Sequence, residues 1–174
     1  MRRRLFLGLT AAAAALAACQ RKPAPGGDAS PEAKANADAG AAFLANNAKQ
    51  PGVVTLPSGL QYKVIRSGPE GGAHPRPQDE VRVHYEGTLI DGTVFDSSYR
   101  DGNPVVFVLG NLVPGWVEGI ALMKPGDEWY LYLPPKLGYG EEGAGGGRIP
   151  PNSALVFRIE LLGVLPHADP PKMG

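Results

Sequence analysis

The sixteen residues Val83 to Ser98, V-H-Y-E-G-T-L-I-D-G-T-V-F-D-S-S, constrain this chain more than any other segment. Val81, Val83 and Tyr85 alternate with Arg82, His84 and Glu86, the period of a half-buried strand. Asp91-Gly92 is a hairpin turn signal, and Val94-Phe95-Asp96 resumes an apolar run that ends on a carboxylate. A chain built this way must fold as an antiparallel pair with one face against a core. An aspartate beside Phe95 and across from a strand tyrosine is more than a plain hairpin needs. It points to a pocket with aromatic walls and one polar anchor.

Several other strands are legible around that pair. Leu60 to Arg66 alternates, strands are predicted over 80–90 and 93–97, and Val105 to Leu109 is an apolar run between Pro104 and Gly110. Glu128 to Leu133 and Ala154 to Gly163 supply two more; in the second, Leu155, Phe157, Ile159 and Leu161 share one face. One short helix is predicted over Gly115 to Met123, just after Pro114 and stopped before Lys124-Pro125-Gly126. The expected fold is α+β: a curved antiparallel sheet with one short helix, about a hundred residues with its own core.

The N-terminus reads as an address. Arg2-Arg3-Arg4 precede a short apolar stretch, Leu5 to Ala18, too short to span a bilayer as a helix. It ends in L-A-A-C, a match to the lipobox of exported lipoproteins, so residues 1–18 are expected to be a signal peptide and Cys19 the lipid-bearing mature N-terminus. The alternative is an ordinary secretory signal with Cys19 an incidental thiol. Gln20 after the cysteine resembles lipoproteins sorted to the outer membrane, and Arg3-Arg4 fits twin-arginine or ordinary export alike. Cys19 is the sole cysteine, so stability must come from the core and not from an intrachain disulfide.

Residues 19–52 are expected to be a tether with a short helix: a Pro/Gly-rich run, then Ser30-Pro31-Glu32 as a capped helix start continuing to about Asn47. That helix reads either as a solvated spacer or as a dimerisation helix, although its alanine-rich stripe has little to bury, and a monomer is expected. The compact domain is placed at 53–166 and a disordered tail at 167–174. Seventeen basic and seventeen acidic residues cancel, so no electrostatic footprint for nucleic acid is present. His74, His84 and His167 are scattered and form no metal-ligating cluster with the lone cysteine. His84 should face away from the core valines.

Four segments in order, the hairpin above, V-P-G-W-V-E-G-I-A-L-M (113–123), P-P-K-L-G-Y-G (134–140) and I-P-P-N-S-A-L-V-F-R-I-E-L-L (149–162), closely resemble the FKBP-type peptidyl-prolyl cis/trans isomerases. The resemblance has its motif core at 78–165 and reaches back to Ser58; the lead-in Ala42 to Val53 resembles the exported, macrophage-infectivity-potentiator-like bacterial branch. It implies a sheet wrapped around a short helix, with the active site between them. It also implies isomerisation of X-Pro bonds in exported polypeptides, without metal or cofactor. The catalytic residues it implies are Tyr85, Phe95, Asp96, Trp116, Tyr139 and Phe157, with Leu112, Val113, Ile149 and Val105 also contacting substrate. Trp116 would be the floor for the proline ring, with the Val113 N–H and Tyr139 hydroxyl holding carbonyls.

On residue type alone Trp116 and Phe157 could equally be core aromatics, and Asp96 a turn cap. A non-catalytic proline-binding module or chaperone would use the same pocket. Two departures from the family pattern stand out. Val105 is read at the position of a second aromatic wall, which implies only weak macrolide binding. Arg148, in a loop about one residue longer than in the smallest members, stands where the family is usually apolar. The address and the resemblance together place the protein in a Gram-negative-type envelope, anchored through Cys19 and facing the periplasm.

Overall fold

The computed structural model describes residues 30–167, so the signal segment, Cys19 and nearly all of the expected tail lie outside the described residues. Among the described residues seven antiparallel strands form one sheet, in the order β1 (Val53–Thr55), β2 (Gln61–Arg66), β6 (Glu128–Leu133), β7 (Leu155–Leu165), β3 (Glu80–Leu89) and β4 (Val94–Ser97), with β5 (Val105–Val108) also pairing β3. The long central pair is β3 (Glu80–Leu89) against β7 (Leu155–Leu165), running from Glu80↔Leu165 to Leu89↔Leu155 with one register shift at Arg82/Val83. β6 (Glu128–Leu133) pairs the other side of β7, and β2 (Gln61–Arg66) pairs β6. β4 (Val94–Ser97) and β5 (Val105–Val108) share the free edge of β3.

The expected hairpin turn is present: Gly92 has φ +89, a value only glycine adopts freely, and the Asp91 carboxylate accepts from the Thr93 N–H at 2.8 Å. β7 runs two residues past the predicted Gly163, because Val164 and Leu165 still find partners in Val81 and Glu80. β1 (Val53–Thr55) was not predicted; three residues are too few to show a period, and pairing with β2 alone makes it a strand.

One face of the sheet holds the core. Val81, Val83, Leu131, Leu133, Leu155, Ile159 and Leu161 are fully buried there, together with Ile120 and Met123. α2 (Pro114–Ile120) lies across this face. Two glycines set its distance: a Cβ on Gly115 would lie 2.5 Å from Leu133, and one on Gly119 would lie 2.6 Å from Leu131. Proline at its first position starts the helix. It stops at Ile120, earlier than predicted, as Leu122 and Met123 turn back onto Gly119 and Ile120 through shorter-range hydrogen bonds.

α1 (Pro31–Asn47) forms over the predicted range, capped by the Ser30 hydroxyl accepting from the Ala33 N–H at 3.1 Å. It does not stand free of the domain. Its Gly40 packs so closely that a Cβ would lie 2.9 Å from the Ala154 Cβ. Asn36 donates to the Pro151 carbonyl at 2.9 Å, and buried Gln61 donates to the Leu44 carbonyl at 2.9 Å and accepts from Asn47 at 2.8 Å. No helix among the described residues is long and apolar enough to cross a membrane.

Candidate active site

Between α2 and the β3 edge lies a cavity of about 190 Å³. Its floor is Trp116, placed in the first helical turn by the Pro114 start, with its N–H donating to the Val113 carbonyl at 2.9 Å. The indole is buried, and its Nε1 has no acceptor among the described residues. Three rings stand on edge to it: Tyr85 (centroids 5.2 Å, 81°), Phe157 (5.2 Å, 87°) and Phe107 (6.1 Å, 86°). Phe95 in turn meets Phe157 edge-on at 5.6 Å. Edge-to-face contacts of this kind hold rings in fixed relative orientation, so the box is a shaped container.

Its tight packing depends on a missing side chain. A Cβ on Gly87 would lie 2.6 Å from the Phe95 ring and 2.7 Å from Phe157, so glycine in β3 is what lets both rings sit over the strand. Leu112 and Val113, ahead of α2, close the opposite rim. The Val113 N–H donates to no acceptor among the described residues.

Polar groups are few and placed at the edge. The Tyr85 hydroxyl donates to Asp96 Oδ2 at 2.6 Å, and Asp96 Oδ1 accepts from the Ser97 N–H at 3.0 Å. Arg100 lies 4.0 Å from the same carboxylate. Burial foremost, then the bond to Asp96, pushes the Tyr85 phenol far above its ordinary value. Tyr139, also on the rim, is raised by burial and by the nearby Asp96 charge. Both tyrosines therefore keep their protons at neutral pH and are available there as hydrogen-bond donors. Among the described residues no histidine lines the cavity: His84 faces away, hydrogen-bonded to Ser98 at 3.0 Å and stacked on Tyr99.

The cavity thus gathers Tyr85, Phe95, Asp96, Leu112, Val113, Trp116, Tyr139 and Phe157. Ile149 lies one step away, in a neighbouring cavity of about 180 Å³ that shares Phe95, Asp96 and Tyr139. Val105 is a correction. It does not line the cavity; Phe107, two residues on, does. Both point to the same side of β5, since Val106 and Val108 are the exposed pair, but register decides which reaches the box. Val105 sits opposite Val83 and Phe107 opposite Val81, and only the longer aromatic extends to Trp116 and Tyr85. The available signal was Phe107 itself, the one aromatic in an otherwise all-valine strand. On this side of the box the aromatic that lines the cavity is therefore Phe107.

This geometry has counterparts of known family. Residues 71–162 match the model of the FKBP-type peptidyl-prolyl cis-trans isomerase domain, and residues 9–64 match that of the domain amino-terminal to it. The peptidyl-prolyl cis-trans isomerase Mip of Coxiella burnetii is 52% identical over 129 residues, 74% of this chain and 55% of that protein. The outer membrane protein MIP of Legionella longbeachae is 47% identical over 133 residues, 76% of this chain and 56% of that protein. This chain thus spans about half the length of those relatives. Among solved structures, FkpA from Escherichia coli superposes with a TM-score of 0.73 at 46% identity, covering 77% of this chain and 61% of that one. With the motifs, the sheet and the aromatic box in agreement, the chain belongs to the FKBP-type peptidyl-prolyl cis-trans isomerase family.

Proposed function

We propose that this protein is a peptidyl-prolyl cis/trans isomerase acting on proline-containing segments of exported polypeptides. The observation that carries the reading is the composition of the cavity: six aromatic rings around a prolyl-sized space, with Asp96 the one charged side chain among its lining residues. The barrier to rotation is about 18–20 kcal/mol because resonance keeps the amide planar. At 90° of twist the resonance is gone and the carbonyl is less polar. A dry aromatic cavity disfavours the polar planar amide more than the twisted one, so binding itself favours the transition state. A thousandfold acceleration needs only about 4 kcal/mol of that preference.

Each residue has a part in this. Trp116 carries the prolyl ring, and Phe95, Phe107 and Phe157 exclude water around it. The free Val113 N–H and the Tyr139 hydroxyl hold carbonyls flanking the rotating bond. Asp96, kept in place by Tyr85 and the Ser97 N–H, sets a fixed negative end beside the amide; nothing is transferred to or from it. The test is an isomerisation assay on a proline tetrapeptide with the purified protein. Acceleration over solvent that is lost on blocking the cavity supports the reading; a folded protein with no acceleration reduces it to a binding module.

For location, the reading is a lipoprotein anchored through Cys19 in the outer membrane, facing the periplasm. It is supported by the L-A-A-C motif, by Gln20, and by kinship with a protein named for the outer membrane. X-Pro isomerisation is slow enough to limit folding, and this compartment receives its proteins unfolded.

A further inference from the structure

The second cavity has a chemistry of its own. It adjoins the first, sharing Phe95, Asp96 and Tyr139 with it, and is otherwise lined by Ile149 and the loop carrying Ala144, Gly145 and Arg148. The loop is tied at its base by two hydrogen bonds, Ala144 N–H to the Ile149 carbonyl at 2.9 Å and Ile149 N–H to the Ala144 carbonyl at 3.1 Å. Gly145, Gly146 and Gly147 all have positive φ, and this lets the loop double back. Arg148 then folds over it: its Nε donates to the Gly145 carbonyl at 3.3 Å, and a Cβ on Gly145 would lie 3.2 Å from that nitrogen.

That neutral carbonyl is the partner Arg148 has. Among the described residues no carboxylate pairs with it, whereas Arg66 and Arg158 are each bound to a glutamate. The carboxylate in the same cavity, Asp96, is already committed to Tyr85, the Ser97 N–H and Arg100. Glu141 and Glu142, at the start of the loop, do not line the cavity. An exposed cation with no carboxylate partner therefore borders a cleft that shares Phe95, Asp96 and Tyr139 with the prolyl box.

We propose that this cavity is a subsite for an acidic side chain, Asp or Glu, on the residue immediately preceding the proline, with Arg148 as the specificity-determining residue. The inference rests on the isomerase reading above. In that reading Asp96 lies beside the rotating bond, whose carbonyl belongs to the preceding residue. Because Asp96 is also a wall of the second cavity, a chain with its proline on Trp116 directs the preceding side chain there. An exposed ion pair supplies a modest preference, about two- to fivefold.

The test measures kcat/KM at about 10 mM salt on blocked tetrapeptides with Leu, Glu, Gln or Lys before proline. Glu should exceed its neutral isostere Gln about two- to fivefold, and Lys should fall below Gln. The Glu-to-Gln ratio should approach one at about 0.5 M salt, where screening is strong. It should also approach one in Arg148→Gln and drop below one in Arg148→Glu. Acceleration of Leu-Pro with a Glu-to-Gln ratio of one in the wild type, or an unchanged ratio in Arg148→Gln, overturns the subsite. Failure to accelerate even Leu-Pro overturns the isomerase reading instead.

Discussion

The Tyr85 hydroxyl and Asp96 Oδ2 lie 2.6 Å apart, a charge-assisted hydrogen bond that joins β3 to the neighbouring strand at the cavity rim. A bond to an ionised partner is worth about 1.5–3 kcal/mol where it is well shielded and less where it is wet. Asp96 is about half exposed, so the lower end applies. Tyr85→Phe should lower kcat/KM about three- to tenfold. The melting temperature should also fall, by only a few degrees, because the bond is lost from the folded protein while the ring and its contacts with Trp116 remain. A peptide assay paired with thermal unfolding reads both.

Gly87 makes a second, sterically sharper prediction. Adding one methyl group at 2.6 Å from Phe95 and 2.7 Å from Phe157 must push the two rings off the strand. Gly87→Ala should cost about 1–3 kcal/mol of stability by overpacking. It should also depress kcat/KM even at temperatures where the protein is fully folded, since the walls themselves have moved. A stable, fully active Gly87→Ala protein would show that the rings do not shape the reaction space.

The aromatic wall can be dissected residue by residue. Trp116→Ala and Phe157→Ala should nearly abolish activity, but each also opens a core cavity costing about 3–5 kcal/mol, so denaturation curves must accompany the rates. Phe107→Leu keeps most of the volume and should reduce kcat/KM while the fold persists. Val105→Ala should leave kcat/KM close to that of the wild type, because its side chain lies outside the box. His84→Ala should likewise retain activity. Loss of activity in His84→Ala with Trp116→Ala still active would overturn the desolvation mechanism.

A profile against pH separates environment from proton transfer. Burial raises both site tyrosines above the ordinary phenol value of about 10, so neither ionises near neutrality. kcat/KM should be flat between about pH 6 and pH 9, where a general acid or base working there would give a sloping limb. Stability behaves differently. Native Tyr85, Tyr132 and Tyr139 hold their protons to higher pH than they do in the unfolded chain. Above about pH 10 the unfolded state therefore binds fewer protons, and stability is lost as pH rises. Denaturant midpoints across pH 8 to 11, in about half-unit steps, test this.

The address makes its own prediction. Cells expressing the whole chain and fed a labelled fatty acid should incorporate it into the wild-type protein and not into Cys19→Ser. Equal labelling of both proteins would refute lipidation at Cys19.

The sequence by itself determined the class of this protein. Alternation in Val81 to Glu86 and Leu155 to Leu161 named the buried face of β3 and β7, because side chains alternate strictly along a strand. Pro114 and the Asp91-Gly92 turn bounded the helix and the hairpin through local backbone chemistry, and the four motifs carried the family. Tertiary structure alone decided the rest. Alternation puts Val105 and Phe107 on one face but does not say which reaches the box; that depends on the register of β5 against β3. Whether α1 stands free or docks depends on Gly40 meeting Ala154, residues 114 positions apart. Arg148 borders a cleft only because three glycines in left-handed conformations turn its loop back beside Phe95 and Asp96. Periodicity is a local property of the chain, whereas a cavity is made by residues distant in sequence whose meeting no local pattern encodes.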